Sequence, residues 1–325
     1  MLLYILRRLA SAISVVIVTL VASFALFFLA PTDPAGVICG PKCTPERLAD
    51  ISASLDLDKP AYQQLGSYMK GIVAGRDFNA GGVERHCSAP CLGYSYSFGQ
   101  PVTTMLLQAI PVTVSIVLGG AVIYLFLGVM AGSLAAQVRG TPLDRITVGA
   151  TNFIASIPYF VVALLVVLYA TFLPYSAYHP FLDNPLTWAS GLVAAWLTLG
   201  ITNAASYSRY ARASMIESLG QDFVRTARSK GISERRVVYR HALRAALTPV
   251  TTIFGIDLAF QLTGAIFTEK LFGLNGLGVL SLNAFAKYDL PVLMGTVLFG
   301  SVLLVVMNLV VDIVYTFLDP RVRLG

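Results

Sequence analysis

The stretch 222-DFVRTARSKGISERRVVYRHALRAALTPV-250 joins two apolar runs, Leu186–Ala205 and Thr248–Thr268. Between those runs, residues 207–247 carry nine Lys/Arg against three acids (Glu217, Asp222 and Glu234). That net charge of +6 equals the net charge of the whole chain, so the remaining residues sum to zero. A concentrated basic segment tethered at both ends by bilayer-length apolar runs is a membrane-surface element, drawn to anionic headgroups.

The composition extends the same reading to the whole chain. Of its 325 residues, 56% are hydrophobic and 12% charged, and the mean hydropathy is +0.72. A soluble domain has about 45–50% apolar and about 25% charged residues. There are too few charges to cover a soluble enzyme and too much apolar surface for disorder. Leu9–Ala30, Ile110–Gln137, Ile146–Leu173, Leu186–Ala205, Thr248–Thr268 and Leu290–Leu318 read as six spans. Only helices satisfy the backbone of such runs in lipid. Leu9–Ala30 reads as a retained span rather than a signal peptide, whose apolar region is shorter. A kink is expected at Pro158, Pro249 is expected in the first turn of span five, and Trp188 at the outer end of span four. The expected fold is an all-α polytopic membrane protein with six transmembrane helices.

Basic residues orient the spans. Arg7 and Arg8, Arg139 and Arg145, the nine of 207–247, and Arg321 and Arg323 fall on one side; the short loops opposite carry only Lys270 and Lys287. The positive-inside rule then places both termini in the cytoplasm. The chain divides into an N-terminal segment and first span (1–30), an extracytoplasmic cap (31–100), a core (101–318) containing the 207–247 loop, and a tail (319–325). The cap holds all four cysteines, Cys39, Cys43, Cys87 and Cys91. Their placement fits disulfides in an oxidising compartment, with three connectivities open; a metal site using His86 is the alternative.

Within the basic segment the pattern is two short helices and a turn. Asp222 can cap a helix running to about Lys230, Gly231 sits where a left-handed residue is wanted, and Ser233 suits an N-cap for 234–247. Val237, Val238, His241, Ala242 and Ala245 form an apolar stripe at helical spacing, with Arg236, Arg240 and Arg244 on another face. Such an element suits docking into a partner's groove, with its second helix continuing into span five. An inert surface helix is the other reading.

Arg225-Thr226-Ala227-x3-Gly231 resembles the cytoplasmic EAA loop of binding-protein-dependent ABC importer permeases, and 222–250 as a whole resembles the dipeptide/oligopeptide/nickel branch. Arg225 and Thr226 stand in place of the eponymous Glu and first Ala, and Leu243-Arg244 where many members have Leu-Pro. "LLYILRRL" (2–9), "AIPVTVSIVLGG" (109–120), "RGTPLDR" (139–145), "FGLNGLG" (272–278) and "NLVVDIVYTFLDPRVR" (308–323) carry the resemblance along the chain. It implies a type I importer permease fold in a bacterial inner membrane. It implies ATPase coupling through Asp222, Arg225, Thr226, Ala227, Arg228, Ser229, Lys230, Gly231, Ile232, Ser233, Glu234, Arg235 and Arg236. It also implies a homologous second permease, two ATP-binding subunits carrying ATP and Mg, and an extracytoplasmic substrate-binding protein. No Gly-Lys-Ser/Thr phosphate loop occurs, so no cofactor is expected on this chain. Lipid is an expected partner and nucleic acid is not.

Asp257 lies well inside span five, where a carboxylate is costly; it reads as a translocation-pathway residue or as an interhelical hydrogen-bond acceptor. Asp312 is expected to pair with Arg209 or Arg212. Gly128-x3-Gly132 permits close helix approach, within this chain or to a second permease. His86, His179 and His241 are dispersed, and no catalytic constellation is present. The expected function is the pore-forming subunit of an ATP-driven peptide importer. Nickel or glutathione import by the same architecture is the alternative, and a secondary ion-coupled transporter the rival class.

Overall fold

The computed structural model describes residues 2–29, 33–40, 43–80, 83–175 and 177–318. The expected tail 319–325, with Arg321 and Arg323, lies outside the described residues, as does the side chain of Asp312. Contacts divide the chain into two compact units, one built from 2–113 and 275–305, the other from 114–274 and the end of the last helix.

The first unit begins with α1 (Leu2–Phe24), which runs on as a π-helical turn (Ala25–Leu29). The cap follows: α2 (Pro34–Cys39), α3 (Pro45–Ser54), α4 (Ala61–Ala74), β1 (Arg76–Ala80), β2 (Val83–Cys87), β3 (Tyr94–Ser95) and β4 (Gln100–Pro101). The chain then enters α5 (Val102–Gln137). β1 pairs antiparallel with β2, and β3 with β4, so the helical fold carries two small β ribbons in its cap. Thr44 caps α3 by accepting from the Arg47 N–H, the role a short hydroxyl fills at a helix start. The structure closes two local disulfides, Cys39–Cys43 and Cys87–Cys91.

The cap is not a free-standing module. Ile38, Ile51 and Ala35 share one apolar cluster with Leu290, and Leu55, Leu57, Leu65 and Tyr68 pack on Leu20, Phe24, Met294 and Leu298 of the spans. A buried polar contact adds to this. The Ser95 hydroxyl donates to the Asp289 carboxylate at 2.5 Å, while the other carboxylate oxygen accepts from the Val292 N–H in the first turn of the last helix. Both Ser95 and Asp289 are 0% exposed.

The second unit contains the rest of α5, α6 (Pro142–Ser156), α7 (Tyr159–Tyr169), α8 (Pro185–Leu219), α9 (Asp222–Ser229) and α10 (Glu234–Arg236). A π-helical turn (Val237–Ala242) leads into α11 (Leu243–Leu262), followed by α12 (Ile266–Leu271). α13 (Leu277–Ala286) and most of α14 (Leu290–Leu318) return the chain to the first unit. Among the described residues, five helices are long and apolar enough to cross a membrane, and the pair α6–α7 makes a sixth if counted as one span.

Two sequence expectations change here. Pro158 does not merely kink span three: α6 and α7 meet at 88°. Ile157, held extended at φ −85°, ψ 125°, is the residue that proline forces out of helical geometry. Pro249 is not in a first turn either. Helix starts upstream at Glu234, runs without a break through the π turn, and places Pro249 inside α11.

α5 and α8 approach closely at Gly128 and Gly132. A Cβ on Gly128 would lie 2.5 Å from the Cβ of Tyr207, and one on Gly132 would collide with the backbone of Ser208 and Arg212. The Gly-x3-Gly motif is therefore used within this chain.

Asp56 organises the helical part of the cap. Held at φ 55°, it accepts from Lys59 (2.8 Å), Ser67 (2.7 Å) and Arg76 (2.9 Å). Burial pushes its carboxyl up, but the Lys59 and Ser67 hydrogen bonds and the Arg76 charge outweigh it, so the net direction is below the ordinary 3.8. A carboxylate depressed in the fold contributes stability above its unfolded value, lost as pH falls through the folded one. Hydrogen exchange of 55–76 is expected to lose protection only below pH 3.8. Asp56→Asn should be less protected at neutral pH and should lack this acid step; an unchanged step would refute the assignment.

Candidate functional site

The basic elbow forms because its sequence punctuates two helices. α9 spans Asp222–Ser229, Lys230 caps its end, and Gly231 takes φ +73°. The Gly231 N–H donates to the Arg228 carbonyl (2.9 Å) and the Ile232 N–H to the Ala227 carbonyl (3.3 Å). This is a Schellman closure, with Ile232 packed into the same cluster as Ala227. Arg228 then clamps across the turn onto Glu234 through two contacts, 3.0 and 2.6 Å.

The capping expectations need correction. Asp222 is the first helical residue rather than the cap, and Gln221 holds the cap position without a side-chain bond. Asp222 is engaged instead by Arg225 at 3.5 Å. Ser233 occupies the expected cap position of α10 but makes no side-chain cap bond. The start of α10 is tied down by the Arg228–Glu234 clamp instead.

The apolar stripe also shifts. Val237, Val238, Ala242 and Ala246 are the buried members, whereas Ala245 is exposed and His241 half-buried. The π turn adds a residue to one winding. Spacing 237–241–245 therefore becomes 237–242–246. These residues close a cluster with Met215, Val224, Ala227 and Ala136, where Met215, Val224 and Val237 are all 0% exposed.

Two hydroxyls tie the end of the π turn and the first turn of α11 to α8. Ser218 donates to the Ala242 carbonyl (2.7 Å) and Ser214 to the Ala246 carbonyl (2.8 Å). The donors are one turn apart on α8, as are the acceptors along the next helix. Arg212, earlier on α8, holds Asp144 at the start of α6 with two bonds of 2.7 and 2.8 Å. Arg212 is thus committed to Asp144, and Thr141-Pro142-x-Asp144 was the sequence signal for it: Thr141 caps α6 with Asp144 in its first turn.

Arg225, Thr226, Ser229, Lys230, Arg235 and Arg236 point outward, as do Arg240 and Arg244, while Ala227 and Ile232 face in. Two aromatics that the charge pattern obscured join the outer face: Phe223 is 43% and Tyr239 50% exposed. Apolar rings among exposed cations, on an element pinned by hydrogen bonds to a long helix, make an exposed contact surface.

Deeper in the same unit the helices carry polar groups. Asp257 accepts from the Tyr207 hydroxyl at 2.8 Å, and the Tyr207 ring lies 4.7 Å from that of Tyr124. One turn beyond Asp257, Gln261 lines a groove of about 360 Å³ with Asn203, Thr202, Tyr159 and Thr268. Tyr159 and Thr268 are hydrogen-bonded at 2.6 Å. These polar side chains share the groove with Leu199, Phe260, Ile266 and Phe267. Sequence reading found Asp257 but missed this group, because Asn, Gln, Thr and Tyr carry no charge to mark them. The cysteines lie in the other unit, and no group of three or more metal-ligating side chains exists among the described residues.

The chain matches two family descriptions. The binding-protein-dependent transport system inner membrane component matches residues 128–324, and the corresponding N-terminal membrane component matches 1–117. A Brucella abortus (strain 2308) protein named as a peptide transport system permease is 36% identical over 323 residues, 98% of each chain. The dipeptide transport system permease protein DppB of Escherichia coli K12 is 32% identical over 351 residues, 99% of each. Among solved structures, the inward-facing MetNI methionine ABC transporter shares the fold, with a TM-score of 0.54 at 18% identity, covering 67% of this chain and 97% of that one.

Gly231 isolates the elbow experimentally. A Cβ there meets nothing within 4 Å, so any effect of substitution comes from the left-handed backbone, which costs an L-residue roughly 1–2 kcal/mol. Gly231→Val should keep membrane insertion and lower the ratio of solute uptake to ATP hydrolysis in the reconstituted transporter. Gly231→Asn, which tolerates this conformation, should retain most of it. Equal coupling in wild type and the Val variant would remove the elbow from the mechanism.

Proposed function

This chain belongs to the binding-protein-dependent transport system inner membrane components, and from that premise we propose that it forms one half of the pore of an ATP-driven peptide importer. It is a multi-pass membrane permease of an ABC transporter, not an enzyme. ATP-hydrolysing and substrate-binding partners follow from that family. The finer assignment has four parts: a homologous second permease as partner, both termini and the elbow in the cytoplasm, the cap outside it, and peptides as cargo. No resident cofactor is assigned to this chain; ATP and Mg belong to the ATPase subunits.

The observation that carries the proposal is the elbow. Its exposed face offers Phe223, Tyr239 and a run of cations. Its buried face is one apolar cluster with α5 and α8, and its second helix is continuous with α11. A displacement of the elbow by a closing ATPase pair is therefore passed to α11 as a rigid body. That movement reaches Gln261 and the groove lined by Asn203 and Thr202. Asp257 sits on the same helix, and in this reading its bond to Tyr207 keeps α8 and α11 moving together beside the passage. Peptides are favoured because the relatives matching nearly the full chain are named for peptide or dipeptide transport.

Secondary ion-coupled transport is disfavoured. The carboxylate that sits well inside a span, Asp257, is partnered by a tyrosine on the adjacent helix rather than by a second carboxylate or histidine of a relay. Expressed with its neighbouring genes, the chain should co-purify with a second permease and ATPase subunits. Proteoliposomes should import tri-alanine only with ATP and binding protein present. Uptake driven by an ion gradient without ATP would overturn the proposal. Saturable uptake of nickel or glutathione in place of tri-alanine would keep the architecture and replace the cargo. Gln261→Leu should reduce uptake severalfold while basal ATP hydrolysis is retained, and full uptake would exclude this groove as the passage.

A further inference from the structure

The cap holds a cleft that neither the elbow nor the membrane groove accounts for. Its volume is about 470 Å³, within the range of about 300–1,000 Å³ typical of small-molecule sites. The floor is apolar and aromatic: Ile51 is 0% and Tyr94 4% exposed. Tyr94 is braced by Phe78 at 5.9 Å and by Tyr96, edge-on, at 5.4 Å.

Charges of both signs rim that floor. Glu46 and Asp50 stand one turn apart on α3 and so share a face. Arg85 comes from β2, opposite Phe78 in the ribbon, and cross-strand partners lie on the same face. Arg47 uses one guanidinium nitrogen on the Tyr96 carbonyl at 3.0 Å, and a guanidinium carries further donors beyond that one. Among the described residues, Glu46, Asp50 and Arg85 hold no side-chain hydrogen bond or ion pair. Acids and bases at a common cleft that leave one another unpaired are placed to meet charges brought by something else.

We infer that this cleft binds the two free termini of a short peptide, Glu46 and Asp50 facing the ammonium, Arg85 and Arg47 the carboxylate, with Tyr94 beneath the backbone. A free peptide carries both charges near neutral pH, and planar guanidinium groups suit a carboxylate. The cleft gives a peptide a holding site on the permease itself, separate from the binding protein. The inference rests on peptide import as proposed above.

The test uses the complete transporter in nanodiscs without its binding protein, with ¹⁴C-labelled tri-alanine in equilibrium dialysis. Unlabelled tri-alanine should displace the label at least tenfold better than N-acetyl-tri-alanine or tri-alanine amide. Asp50→Asn should abolish discrimination against the acetylated form alone, and Arg85→Gln discrimination against the amide alone. A misfolded cap would lose both preferences together, so the two opposite specificity changes distinguish a site from a structural defect. Unchanged preferences in both variants would overturn the inference. So would variants that keep both preferences and lose only association with the binding protein, because the cleft would then be a docking point for that protein. If dialysis shows no binding while ATP-dependent uptake of tri-alanine proceeds, the cleft falls and peptide import stands; if neither occurs, both fall.

Discussion

Two serine hydroxyls on α8 tie down the helix that leaves the basic elbow. Ser218 and Ser214 bind the carbonyls of Ala242 and Ala246, on the helix that begins in the basic elbow and continues through the bilayer-length run of α11. A π turn in such a helix leaves backbone groups out of the regular ladder, and a segment entering an apolar medium must have them satisfied from within the protein. The Ser218 hydroxyl reaches one carbonyl of that turn, Ala242, and the Ser214 hydroxyl one in the first turn of α11, Ala246, and together they set the rotation of the helix beyond them. The apolar cluster around Met215 and Val237 then excludes water from the joint. The hydrogen bonds fix register while burial supplies most of the cohesion, since each such bond is worth only about 0.5–1.5 kcal/mol net.

The same division between apolar cohesion and polar registration recurs elsewhere. In the cap, Ile51 and Leu290 are buried in one cluster, and the Ser95–Asp289 contact sets the turn against the start of α14. Between α5 and α8, close approach at Gly128 and Gly132 provides dispersion contact, and further along α8 Arg212 locks it to the start of α6 through Asp144. Membrane helices gain no hydrophobic free energy from meeting one another in lipid. Small residues and specific polar bonds therefore carry a larger share of the specificity than in a soluble bundle.

Much of this was legible in the residues. Apolar runs of bilayer length located the spans, and the density of Arg and Lys in 207–247 picked out the elbow. Gly231 was readable because only a few residue types adopt positive φ without cost. What escaped was whatever depended on winding or on a partner distant in sequence. Spacing assumed 3.6 residues per turn, so beside Val237, Val238 and Ala242 it selected His241 and Ala245, where the π turn buries Ala246 instead. Arg212 takes Asp144 because α6 and α8 lie side by side, an adjacency that hydropathy could not name.

The sequence alone determined that this chain crosses a membrane several times, which loops are basic, and where a glycine must turn the chain. Those are one-dimensional consequences of hydropathy, charge and backbone sterics. Only the tertiary structure decided that Asp257 bonds Tyr207, that uncharged Asn203 and Gln261 share a groove, and that Glu46, Asp50 and Arg85 surround one cleft. Such groupings depend on which surfaces of distant segments meet, and hydropathy is silent on that because it treats every residue by its own transfer energy rather than by its neighbours in space.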